Sequence, residues 1–242
     1  MTRPEGPREP LLVFAIVTAL SAAIVAIGTV VPFVRDNLHV PIAVMFFYAP
    51  AVAARRTGRG YDYEAAGLRA EPIGLNLAVV GLASLLAFPA FVVGFFAFWG
   101  RVCPDPGLAP LFAGNCRAWL GWTGGHLHLP KGFFVFALSQ LVVVAIPEEL
   151  FFRGYLMERL ERVWPPTRRL FGAKVGWALI VSSALFAIGH VAVIPNPQRL
   201  AVFFPALLFG WMRARTGSIA AGALYHALCN VLADTLHVSY VG

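Results

Sequence analysis

Residues 75–98 read LNLAVVGLASLLAFPAFVVGFFAF, a run without one charged side chain. No other feature restricts the fold as much. An α-helix needs about 20 mostly apolar residues to cross the roughly 30 Å of hydrocarbon in a bilayer. In lipid the backbone must satisfy its own hydrogen bonds, which leaves helices or closed barrels. The runs here are long and do not alternate, so they read as helices. Seven candidate spans follow: 11–34, 38–54, 73–99, 132–152, 174–194, 198–212 and 216–236. The second and sixth are short, and Pro205 interrupts the sixth. Composition agrees, with 59% hydrophobic and 13% charged residues among 242 and a mean hydropathy of +0.73. A soluble domain carries about 45–50% apolar and about 25% charged residues. The expected architecture is all-α: one polytopic transmembrane domain over 1–242, with N-terminal helices in 11–99 and a second group in 132–236.

A formal charge of +7 is a topology signal in such a chain, because cytoplasmic loops collect Lys and Arg. With the amino terminus in the cytoplasm, the inner segments hold Arg3, Arg8, Arg55, Arg56, Arg59, Arg69, Arg159, Arg162, Arg168, Arg169, Lys174, Arg213 and Arg215. The outer segments hold fewer: Arg35, Arg101, Arg117, Lys131 and Arg199. That bias predicts seven crossings, amino terminus in and carboxyl terminus out, in a bacterial cytoplasmic membrane. The opening MTRPEGPREP lacks a cleavable-signal pattern, so the first apolar run is expected to remain as an anchor. No interleaved aromatic and basic patch suggests nucleic-acid binding.

The longest outer loop, 100–131, contains Cys103 and Cys116, either a disulfide on the oxidising side or two unpaired thiols. Its Gly124-Gly125-His126-Leu127-His128 stretch can bind metal, although a glycine-rich turn is the blander reading. Cys229, inside the last span, reads as a small packing residue.

Ionisable residues inside a membrane are costly and tend to mark a site. Three spans carry them. The fourth ends in AIPEELFFRGYL, with Glu148, Glu149 and Arg153; the fifth has His190; the seventh has His226, Asn230 and Asp234. Glu149 and Arg153 are four apart, so they face each other on one helix with the acid in the better, amino-terminal place. Glu148 then points about 100° away, free to face another helix. Phe186 and His190 share a face, as do His226, Asn230 and Asp234. Pro147 removes an amide hydrogen just before the pair and can kink the helix. By these span limits Glu148 lies toward the inner end of its helix and His190 toward the outer end of its own.

A carboxylate beside a histidine can take a proton from water and pass it to a leaving amine. A histidine and an asparagine one turn apart can donate hydrogen bonds to an oxyanion. Together they suit amide hydrolysis by an activated water, without a serine or cysteine nucleophile.

EELFFR (Glu148 to Arg153) resembles a Glu-Glu-x-x-x-Arg motif, FAIGH (Phe186 to His190) a Phe-x-x-x-His motif, and HALCN (His226 to Asn230) a His-x-x-x-Asn motif. All three belong, in this order, to the CAAX protease and bacteriocin-processing (CPBP, or Abi) family. The resemblance covers about 132–236, which it marks as the catalytic core, and leaves the first three spans undiagnosed. It implies a glutamic-type intramembrane endopeptidase acting on a membrane-anchored protein or peptide, lipidated or not. Glu148 and His190 would activate the water, His226 and Asn230 would form the oxyanion hole, and Glu149 and Arg153 would support them. The family was long regarded as metal-dependent. This chain lacks His-Glu-x-x-His, so no cofactor is expected, with zinc on Glu148, His190 and His226 as the alternative. Two other readings stay open: a non-catalytic homologue that keeps the fold, such as an immunity or partner protein, and a small transporter.

Overall fold

The computed structural model describes residues 6–56, 58, 60–116, 119 and 126–241. Gly124, Gly125, Arg3, Arg59 and Arg117 lie outside these residues. Eight helices carry the fold: α1 (Arg8–Val30), α2 (Pro32–Asp36), α3 (His39–Arg55), α4 (Ile73–Val102), α5 (Phe133–Val163), α6 (Trp177–Val193), α7 (Phe203–Thr216) and α8 (Ala220–Tyr240). Of these, α1, α4 and α5 are long and apolar enough to cross a membrane, and α3 and α6 are shorter apolar helices. Leu85, Leu86 and Val93 on α4 and Phe134 and Val135 on α5 are exposed. An apolar outer surface of this kind suits lipid rather than water. The chain is an integral membrane protein.

Several limits differ from those expected. Val31 is extended, which separates α1 from the short α2. Pro32 has no amide hydrogen to continue the ladder and pushes the residue before it out of the helical region. The expected span 132–152 instead runs on to Val163, because its charges are paired within the protein and do not end it. Pro205 sits in the first turn of α7, where an amide hydrogen would have no helical partner, so it interrupts nothing.

The all-α expectation also missed a small hairpin, β1 (Arg168–Leu170) paired antiparallel with β2 (Ala173–Val175). Its two-residue turn, Phe171 and Gly172, has φ of 46° and 80°. Positive φ at both central residues matches the twist of a tight hairpin, and glycine adopts it without strain.

The middle of α5 forms the centre of the bundle. Every residue from Leu150 to Met157 is buried, against Phe14 of α1, Phe186 of α6, and Phe209 and Met212 of α7. Loops gather at two ends. At one, the Tyr155 hydroxyl donates to Glu9 (2.6 Å), Arg69 donates to the Gly217 carbonyl (3.2 Å), and Trp211 donates to the Leu170 carbonyl (3.0 Å). At the other, Cys103 and Cys116 form a disulfide, Asn196 donates to Asn115 (2.6 Å), and the His128 amide donates to Ser239 (2.8 Å).

Candidate active site

Glu148 lies as far from Phe133 as from Val163, at the midpoint of α5 rather than toward an inner end. Around it the helix widens. Gln140–Ala145 and Leu150–Met157 are π-helical, on either side of the single α-turn Ile146–Glu149. Pro147 supplies a reason: its ring would meet the carbonyl four residues back, and a wider turn relieves that contact.

The two glutamates are held differently. Glu149 has no solvent exposure, and its Oε1 is 3.1 Å from Arg153 Nη1. Arg153, equally buried, donates to the Ala206 carbonyl at 2.9 Å, and its guanidinium lies over the rings of Phe186 (4.6 Å) and Phe209 (5.2 Å). Glu149 Oε1 also accepts from His226 Nδ1 at 3.3 Å. A carboxylate beside an arginine only accepts, which puts the hydrogen on Nδ1. His226 Nε2 faces Glu148 Oε2 at 3.9 Å, and that oxygen has no hydrogen-bond partner among the described residues. One imidazole thus spans both carboxylates. It stacks on Phe209, with centroids 4.9 Å apart and planes 13° from parallel.

His190 sits in the last turn of α6, and its Nδ1 donates to the Phe186 carbonyl at 2.9 Å. A carbonyl cannot donate, so Nε2 is left as the nitrogen able to take a proton. On α8, Asn230 donates to Gln140 Oε1 at 2.8 Å, which uses one of its two amide hydrogens.

Glu148, His190, His226 and Asn230 all line one cavity of about 700 Å³. Glu149 and Arg153 lie behind its wall. Asp234 also lines the cavity. The rest of the lining includes Leu38, Trp99, Asn115, Asn196, Gln198, Arg199 and His237, all from the disulfide-bearing end. Among the described residues, no lining residue comes from the opposite loops at 56–72, 157–176 or 213–219. The cavity therefore runs from the middle of α5 toward one end only, which gives the depth that span limits alone left undecided.

Among the described residues, no three His, Cys, Asp or Glu side chains are grouped so as to hold a metal ion. The zinc alternative on Glu148, His190 and His226 would use the Nε2 atom of each histidine, since each Nδ1 already donates to an oxygen, as it does in metal-ligating histidines. His126 and His128 form no such group either.

A family model described as type II CAAX prenyl endopeptidase, Rce1-like, matches residues 130–232. This segment belongs to the CAAX protease family. No curated protein and no solved structure matches the chain. The Rce1-like segment contains all three motifs and also Gln140 and Arg199, while Asn115, Asp234 and His237 fall outside it.

Three features of the site had no place in the reading of the sequence. Gln140 is a lone amide in FFVFALSQLVVV, and the rule that polar residues in a membrane mark sites would have found it. Phe209 has no distinguishing signal in its helix. Gly222 is visible only in three dimensions: a methyl group there would sit 3.1 Å from Glu149 Oε2.

Proposed function

We propose that the protein is an intramembrane endopeptidase that hydrolyses a peptide bond of a membrane-associated protein by a water activated on Glu148 and His190, without metal. The observation that carries this reading is the shared cavity of Glu148, His190, His226 and Asn230. Glu148 Oε2, which has no hydrogen-bond partner among the described residues, takes a proton as water attacks the carbonyl carbon, with His190 Nε2 as the second acceptor. The carbonyl oxygen becomes an oxyanion, met by His226 Nε2–H and the second Nδ2 hydrogen of Asn230. A donor at Nε2 requires the imidazolium, in which both ring nitrogens carry hydrogen. The intermediate collapses as the proton passes to the leaving amine, and the C–N bond breaks. Glu149 and Arg153 act through His226 by fixing its ring.

The same proposal places the amino terminus in the cytoplasm, with seven crossings of a bacterial cytoplasmic membrane. Arg55, Arg56, Arg69, Arg168, Arg169, Arg213 and Arg215 cluster at the end away from the disulfide, as cytoplasmic loops do. A persistent disulfide belongs on an oxidising side. The substrate is a membrane-anchored protein or peptide, prenylated or not.

The test uses the full chain in detergent with a membrane-peptide library read by mass spectrometry. Glu148→Gln and His190→Ala each lower cleavage by about 10²–10⁴-fold with unchanged unfolding midpoints, and a strong chelator leaves the wild-type rate intact. Wild-type rates in Glu148→Gln would end the proposal.

A further inference from the structure

Arg199 lies in the turn Pro197–Val202 that joins α6 to α7, and it lines the cavity that holds Glu148. The turn is pinned by a polar clasp. Asn196 Oδ1 accepts from the Gln198 amide (3.1 Å), and Asn196 Nδ2 donates to Asn115 Oδ1 (2.6 Å). Asn115 Nδ2 in turn donates to Gln198 Oε1. Asn115 is the neighbour of Cys116, whose disulfide to Cys103 ties down the loop. The clasp uses the amides of Asn115, Asn196 and Gln198 on one another and leaves Arg199 out; the charge that reaches Arg199 is that of Glu148 across the cavity, beyond ion-pair distance. Among the described residues, no ion pair and no side-chain hydrogen bond reaches Arg199.

A guanidinium keeps its charge, offers donors in a planar fork, and pairs best with a carboxylate. A peptide backbone has no charge to meet it. A carboxylate brought in by a ligand does, and the binding cavity is where such a ligand would lie. The pinned turn means that Arg199 is held ready, so little ordering is needed when the pair forms.

We propose that Arg199 is a specificity residue that binds a carboxylate of the substrate at the mouth of the cavity, either the free carboxyl terminus or an Asp or Glu side chain. The inference rests on the endopeptidase reading above and names what that site selects.

The experiment uses a peptide library in which every sequence exists as free acid and as carboxamide, with internal Asp and Glu exchanged for Asn and Gln in half the members. Full-length wild type, R199Q, R199K and E148Q are compared in dodecylmaltoside. Wild type is expected to prefer carboxylate-bearing members. In R199Q their KM rises about 10- to 100-fold, as expected for losing a hydrogen bond to a charged group, and the preference collapses toward one, while R199K keeps part of it. Preference for free acids over carboxamides assigns the chain end; preference for Asp and Glu whatever the terminus assigns a side chain.

A parallel arm needs no catalysis: peptides retained on immobilised E148Q are compared with those retained on E148Q/R199Q. A wild type indifferent to carboxylates, or an R199Q protein that keeps the wild-type ratio in both arms, overturns the proposal. Wild-type cleavage by E148Q would instead remove the catalytic reading, and the retention arm would still decide the role of Arg199.

Discussion

Arg153→Met separates what the buried ion pair does for stability from what it does for the site. The arginine is fully buried, pairs with Glu149 at 3.1 Å, donates to the Ala206 carbonyl at 2.9 Å and stands over two aromatic rings. Methionine roughly keeps the volume, so the cavity contribution is small and the loss is electrostatic. Removing one partner leaves a buried carboxylate uncompensated, at a cost of about 3–5 kcal/mol. The double variant Glu149→Met/Arg153→Met removes both charges. Its main remaining loss is the orphaned Nδ1–H of His226, about 1–3 kcal/mol, so it should be more stable than either single variant. Its activity should not recover, because nothing then holds His226; a fall of at least about 10²-fold is expected for a histidine without its orienting carboxylate. Equilibrium unfolding in mixed dodecylmaltoside–SDS micelles, followed by the fluorescence of the six tryptophans, gives the stabilities, and peptide cleavage gives the rates. A single variant costing under about 1 kcal/mol, or a double variant as unstable as the singles added together, would refute the argument that the unpaired charge dominates.

Gly222→Ala puts a methyl group 3.1 Å from Glu149 Oε2; overpacking of this kind costs about 1–3 kcal/mol, and the rate should fall more than the unfolding midpoint does. Gln140→Leu removes the acceptor that aims Asn230; cleavage should fall about tenfold, the worth of one hydrogen bond, with the midpoint nearly unchanged. Cys103→Ser/Cys116→Ser opens a loop of sequence separation 13 and should cost about 3 kcal/mol by loop-closure entropy, measured as a midpoint difference that vanishes when wild type is reduced.

Much of the bundle could be read from runs such as 75–98, because a stretch with no charge and no alternation has few other fates. The pairing of Glu149 with Arg153, and the shared face of His226 and Asn230, follow from helical spacing alone. The failures have physical causes. Span limits drawn where charge begins stopped at residue 152, yet Glu149 and Arg153 lie mid-helix in α5 because each is the other's partner. The hairpin at Arg168–Val175 is too short and too polar to show a period. The stacking of Phe209 on His226 depends on how α7 packs against α8, which no local pattern encodes. Arg199 looked like one more loop charge until its turn was seen to border the cavity.

The cavity draws its lining from the disulfide-bearing end and from no loop at the other. A chamber lined from one end constrains the order of events in the proposed cleavage. On the topology proposed above, the segment to be severed would have to be delivered across to that side before it is cut. The piece released leaves by the way it came.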